Sequence, residues 1–211
     1  MNTLFLYLKK PIYPSSFNKM NLGNFFLMLF IYFVSTIPLG VIGLITLKLT
    51  GFSRLPLDLT LYKKILLGII FAPIYEEVLM RLLLVFSRKN LVILISCCAA
   101  FLIYFCIKSS PKMLIFSFLL IITSIVYLYH HQCFSFINNH YSIFFYLSAI
   151  LFGLLHIFNF VGINGYNLIF TPLLVLPQIF LGLILVYIRV NYGFKYVVLL
   201  HAIVNLSILF V

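Results

Sequence analysis

Apolar runs long enough to cross a bilayer follow one another through this chain with only short links, and they fix its solvent before any motif is considered. Hydrophobic residues make up 64% of the 211 and charged residues 8%, with a mean hydropathy of +1.22. That leaves too little polar surface for a water-soluble globule. Reading runs of about 17–25 residues as spanning helices gives seven segments, near 24–47, 65–86, 91–107, 112–129, 143–160, 168–188 and 194–211. The expected fold is all-α: a multi-pass transmembrane helical bundle of about seven spans, forming one domain over residues 1–211.

The net charge of +11 does not point to nucleic acid, because the Lys and Arg residues are scattered at helix ends, where they anchor spans at the interface. Cys97, Cys98, Cys106 and Cys133 have no C-x-x-C spacing and read as small buried residues, not as a metal or disulfide framework. The short apolar run before Lys9, Lys10 and Pro11 does not read as a cleavable signal, so the first span is expected to stay as an anchor. With the N-terminus inside, seven Lys/Arg fall on the cytoplasmic side and six opposite. Orientation therefore rests on Lys9, Lys10 and Lys19, which precede the first helix and favour an inside N-terminus.

Only three residues are acidic, and two of them, Glu76 and Glu77, stand side by side within the second apolar segment. A carboxylate at the centre of a hydrocarbon layer costs roughly 2.5–3.5 kcal/mol on insertion scales, so such a pair lines a polar cavity, meets a cation or carries chemistry. Pro73 removes a backbone donor ahead of the pair and predicts a kink there, with the carbonyl near Ile69 left unpartnered. Glu77 and Arg81 stand four apart, the spacing at which helical side chains meet. Glu76 points about 100° away around the helix and must find its partners on other segments; desolvation there suits a general base.

Two later segments supply those partners. The fifth ends in Phe152-Gly153-Leu154-Leu155-His156, and the seventh carries His201-Ala202-Ile203-Val204-Asn205, with His201 and Asn205 on one helix face. At ~1.5 Å per residue Glu76 lies about 15 Å deep, His156 about 20 Å, His201 about 10 Å and Asn205 about 17 Å from the same side of the layer. His130, His131 and His140 fall in a polar link and are expected to be solvated; Gln178, beside Pro177, can line the cavity.

Glu76-Glu77-x-x-x-Arg81, Phe152-x-x-x-His156 and His201-x-x-x-Asn205, in that order on separate apolar segments, resemble the three motifs of the CPBP family of intramembrane proteases. That family includes the type II CAAX prenyl endopeptidases and the bacteriocin-processing and bacteriocin-immunity (Abi) membrane proteins. The resemblance covers about residues 65–211. It implies a water activated by Glu76 and His156, with His201 and Asn205 stabilising the oxyanion and with Glu77, Arg81 and Phe152 in support. It also implies a membrane-associated peptide or protein as substrate and a multi-pass place in the cell membrane; the Phe-, Ile- and Asn-rich composition suits a bacterial member. Members commonly have eight helices against the seven read here, and no feature marks a prenyl-binding groove.

Peptide hydrolysis needs a base for water, a proton donor to the leaving amine and donors at the oxyanion, and Glu, His and Asn supply them. Glu76, His156 and His201 could also hold Zn²⁺ with an open position, although no H-E-x-x-H is present. Two non-enzymatic readings compete. One is an immunity or scaffold protein that keeps the motifs; the other is a transporter built on the buried charges, for which no pair of matching halves is visible.

Overall fold

Helix α1 (Asn2–Lys9) and an irregular segment lead into α2 (Leu22–Thr50), in a computed structural model that describes residues 2–56 and 60–209. The third acidic residue, Asp58, and the last two residues of the seventh expected span lie outside the described residues. Helix α2 starts where the Asn21 side chain accepts the Asn24 N–H at 2.7 Å, satisfying one of the orphan donors of a first turn. Its outward face, with Phe26, Phe30, Ile37 and Leu44 exposed, is as apolar as its inner one, the mark of a helix bathed in lipid.

Strand β1 (Ser53–Arg54) pairs antiparallel with β2 (Phe160–Val161), so the link after α2 is tied to the chain just beyond His156. Next come α3 (Leu61–Lys63), a π-helix over Lys64–Phe71, α4 (Ala72–Arg81) and a 3₁₀ turn over Leu82–Leu84. Helices α5 (Arg88–Ile107), α6 (Lys112–Leu128) and α7 (His130–Asn139) precede α8 (Tyr141–Leu155), which tightens into a 3₁₀ turn over His156–Asn159. A second 3₁₀ turn (Leu168–Phe170), α9 (Thr171–Leu174), α10 (Leu176–Tyr192) and α11 (Phe194–Leu209) complete the chain.

The all-α membrane bundle stands, but the seven expected spans are not seven continuous helices. Among the described residues three helices are long and apolar enough to cross a membrane, Leu22–Thr50, Arg88–Ile107 and Tyr141–Asn159, or five if each bent pair counts as one. The expected fourth span is α6, after which the chain turns by 95° into α7, and the expected sixth bends by 53° between α9 and α10, where Pro172 and Pro177 each start a new helix. The expected second span is broken into π, α and 3₁₀ pieces around Pro73. The α11 segment is shorter and apolar over Phe194–Ser207.

The centre of the bundle is the packing of α8 against α10. A Cβ at Gly182 would sit 2.6 Å from the Ala149 carbonyl oxygen, and one at Gly153 would sit 2.2 Å from the Ile179 side chain. Glycine at these two points lets the backbones close up, the small-residue packing that holds helices together in lipid. Helix α11 folds back along α10 through Gly193, whose φ of +97° lies in the left-handed region that glycine enters without steric cost. It lies against α10, α4 and the π-helix together. Phe145, Phe152, Leu185, Ile188, Leu200 and Val204 fill the space between these elements.

Three further expectations change. His130 is not solvated in a loop; it starts α7 half-buried and stacks on Phe86 at 5.0 Å, while His131 and His140 are exposed. Of the four free cysteines only Cys98 is buried, and Cys106 faces outward from α5, since the outer face of a lipid-facing helix accepts small apolar side chains as readily as its core. Arg189 is not an interfacial anchor. It is 3% exposed, donates from Nη2 to the Leu82 carbonyl at 3.2 Å and lies over the rings of Phe17 and Phe194.

Candidate active site

Helix α4 is set up by the π-helical turn before it. In that turn carbonyls bond five residues ahead, and the Ala72 N–H reaches the Leu67 carbonyl. Pro73 sits in the first turn of α4, where a missing N–H is tolerated. The disturbance expected at Ile69 is therefore spread over a widened turn, a device frequent at functional sites.

On one face of α4, Glu77 and Arg81 are both fully buried and form an ion pair between Oε1 and Nη1. The i,i+4 spacing brings them together as the sequence implied. The same Glu77 oxygen also accepts from His201 Nδ1, 2.8 Å away on α11. A carboxylate partner at Nδ1 places a proton on that nitrogen and turns Nε2 toward Glu76. His201 Nε2 lies 3.7 Å from Oε2 of Glu76. This is a charge contact and too long for a hydrogen bond.

Glu76 occupies the other face. Its side chain keeps 23% of its surface accessible while that of Glu77 keeps none, and its Oε2 has no hydrogen-bond partner among the described residues. A buried lone pair of this kind is costly unless something is meant to arrive there.

Phe152 joins the motifs. It is 1% exposed; the Arg81 guanidinium lies 4.1 Å above its ring, and His156 and His201 meet that ring edge-on at 4.8 and 5.4 Å. Its carbonyl accepts from His156 Nδ1 at 2.8 Å. A carbonyl can only accept, so His156 carries its proton on Nδ1 and, when neutral, presents Nε2 as a lone pair. Phe152 is thus more than packing: it orients one histidine through its backbone and touches both through its ring.

Asn205, one turn beyond His201, gives Nδ2–H to the Gly68 carbonyl of the π-helix at 2.8 Å. Gln178 has its Oε1 buried without a partner among the described residues. Gly68 is a contact that sequence reasoning missed. The signal was Pro73, five residues downstream, but only the π register makes Gly68 the orphan. Two cavities, of about 180 and 360 Å³, are lined elsewhere, by the N-terminal segment with α10 and by the α6–α7 elbow with α8.

The donors weighed for zinc do not assemble. Among the described residues no three His, Cys, Asp or Glu side chains converge as a metal set. No step is therefore derived through a metal.

A family model described as type II CAAX prenyl endopeptidase Rce1-like matches residues 58–207, which takes in all three motifs. No curated protein and no solved structure matches the chain. With the match extending over most of the chain, and with its motif residues gathered around one ion-paired helix in a membrane bundle, this protein belongs to the type II CAAX prenyl endopeptidase Rce1-like family, a family of intramembrane endopeptidases.

Proposed function

We propose that this chain hydrolyses a peptide bond within the membrane using water activated by Glu76 and His156. The observation that carries the reading is the contrast in hydrogen bonding at the glutamate pair. Glu77 has no accessible surface and its Oε1 is held by Arg81 and His201, while Glu76 keeps 23% of its side chain accessible and meets His201 only at 3.7 Å; the Oε2 of each is without a partner among the described residues. A water donating one hydrogen to Glu76 and the other to His156 Nε2 aims its own lone pair at a substrate carbonyl. As the oxygen attacks the carbonyl carbon, its proton passes to Glu76. When the tetrahedral intermediate collapses, the C–N bond breaks and Glu76 returns that proton to the leaving amine.

His201 stabilises the oxyanion. Its Nε2 edge lies 3.7 Å from Glu76, and a proton carried there makes that edge a donor to the oxyanion. Fixed donors of this kind need no reorganisation as charge develops. Asn205, the other member of its motif, completes the site through Gly68. The substrate is a membrane-associated peptide or protein of the kind handled by CAAX-processing or bacteriocin-processing members, met in the cell membrane of a bacterium.

Processing of co-expressed membrane peptides by wild type and Glu76→Gln, compared at equal membrane abundance, tests the reading. Wild type should release a shortened product and the variant none. Equal processing by both would remove Glu76 from the chemistry, and a folded wild type without any product would favour an immunity or scaffold role.

A further inference from the structure

We infer that Asn205 is a positioning residue that acts by occupying the Gly68 carbonyl orphaned by Pro73, thereby fixing the register of α11, and with it His201, against the glutamate pair. The inference rests on the protease reading above for its kinetic consequences but not for its structural ones.

The orphan follows from the backbone. Within Lys64–Phe71 the chain is π-helical, and the Ala72 N–H is spent on Leu67, five residues back. In the same register the Gly68 carbonyl would be met by the N–H of residue 73. That residue is Pro73, which has none. Within a bilayer a neighbouring helix can supply the missing donor. Here Asn205 Nδ2, 137 positions away in sequence, donates at 2.8 Å.

The geometry then couples two contacts. His201 and Asn205 stand four apart on one face of α11. His201 grips Glu77 at 2.8 Å, and Asn205 grips the turn that precedes α4. Two grips on one helix fix its rotation and its slide along the partner, where one would fix neither. The 3.7 Å approach of His201 Nε2 to Glu76 is the quantity so controlled. Asn205 thus serves the reaction through the placement of His201, and its amide need not touch substrate.

A double-mutant cycle separates this from direct donation to the oxyanion. Pro73→Ala restores an N–H at position 73 and supplies the widened turn with the donor it lacks. In the wild-type background Asn205→Ala should lower kcat of order 10²-fold, the scale for a misplacement of about 1 Å, leave KM nearly unchanged, shift the pH profile of kcat/KM and lower the melting temperature. In the Pro73→Ala background the same substitution should do little to any of these. Equal kcat losses in both backgrounds, with an unmoved pH profile, would overturn the inference and place Asn205 at the oxyanion. Additive melting shifts would overturn it on structural grounds alone. If wild type proves inactive the protease reading fails, and the melting cycle still decides whether Asn205 and Pro73 are coupled. Should Pro73→Ala not accumulate in membranes, Asn205→His places a ring N–H where Nδ2 stood. Recovery of melting temperature and kcat relative to Asn205→Ala supports the grip, and no recovery of either overturns it.

Discussion

On one face of α4 Glu77 is fully buried with Oε1 shared by Arg81 and His201, whereas one residue earlier Glu76 keeps 23% of its side chain accessible and comes no nearer to His201 than 3.7 Å. Two identical side chains, adjacent in sequence, have been given opposite surroundings by the 100° turn of the helix. A carboxylate whose oxygen is claimed by a guanidinium and an imidazole is held in place and closed off from anything arriving. A carboxylate that is partly accessible and unclaimed can receive a water. The first face is a strut and the second is where chemistry can occur.

The largest effect expected from that contrast is at Glu76. Glu76→Gln keeps the shape and loses the base, so kcat should fall by about 10⁴-fold, the upper end for a general acid–base group. Its melting temperature should stay at the wild-type value, because nothing depends on its free oxygen. The same change at Glu77 should destabilise the fold. Were the two glutamines to behave alike in both assays, the distinction between the faces would collapse.

Next in size is Arg81→Ala, which strands Glu77 as a buried carboxylate and removes the cation above the Phe152 ring. Breaking a buried pair from one side costs roughly 3–5 kcal/mol, enough to exhaust much of the stability of a small domain. Thermal melting in detergent and yield in membranes should both drop sharply. A normal melting temperature would mean that His201 alone holds Glu77 and that the ion pair is dispensable.

The strut could be read from the sequence because it is local. Glu77 and Arg81 are one helical turn apart, and a spacing rule suffices to join them. The approach of His201 to Glu76, 3.7 Å apart, fits the depths expected from a uniform rise per residue along each helix. What could not be read depends on departures from the uniform helix. Pro73 announced a break but not its form, and the π register moved the orphaned carbonyl from Ile69 to Gly68 and gave Asn205 its partner. The breaks within the expected spans were hidden for the same reason, as hydropathy cannot see the 53° bend between α9 and α10. Arg189 looked like an anchor because position alone places a cation at a helix end. The Phe17 ring that covers it comes from a segment that no periodicity connects to α10.

Arg189 offers a control for the strut, and a smaller effect. It is buried like Arg81, yet its guanidinium has a carbonyl and two aromatic faces for company, with no carboxylate in an ion pair among the described residues. Removing it strands no opposite charge. Arg189→Met keeps the apolar stem, gives up the bond to Leu82 and relieves an unpartnered Nε, for a net cost of about 1–2 kcal/mol at most. If Arg189→Met melts as low as Arg81→Ala, then burial of a cation, and not its pairing with a carboxylate, is what the fold depends on.

The smallest effect should come from removing metal. A zinc ion would need Glu76, His156 and His201 as a common ligand set, and so would draw donors from both sides of the division between strut and reactive face. In the structure no three such donors converge among the described residues. On the proposed mechanism, prolonged chelation followed by desalting should leave kcat where it was. The purified protein should carry zinc well below one ion per chain by elemental analysis. Near-stoichiometric zinc, with activity lost on chelation and restored by Zn²⁺, would show that substrate or solvent draws the three donors together, and would make Glu76 a ligand in place of a base.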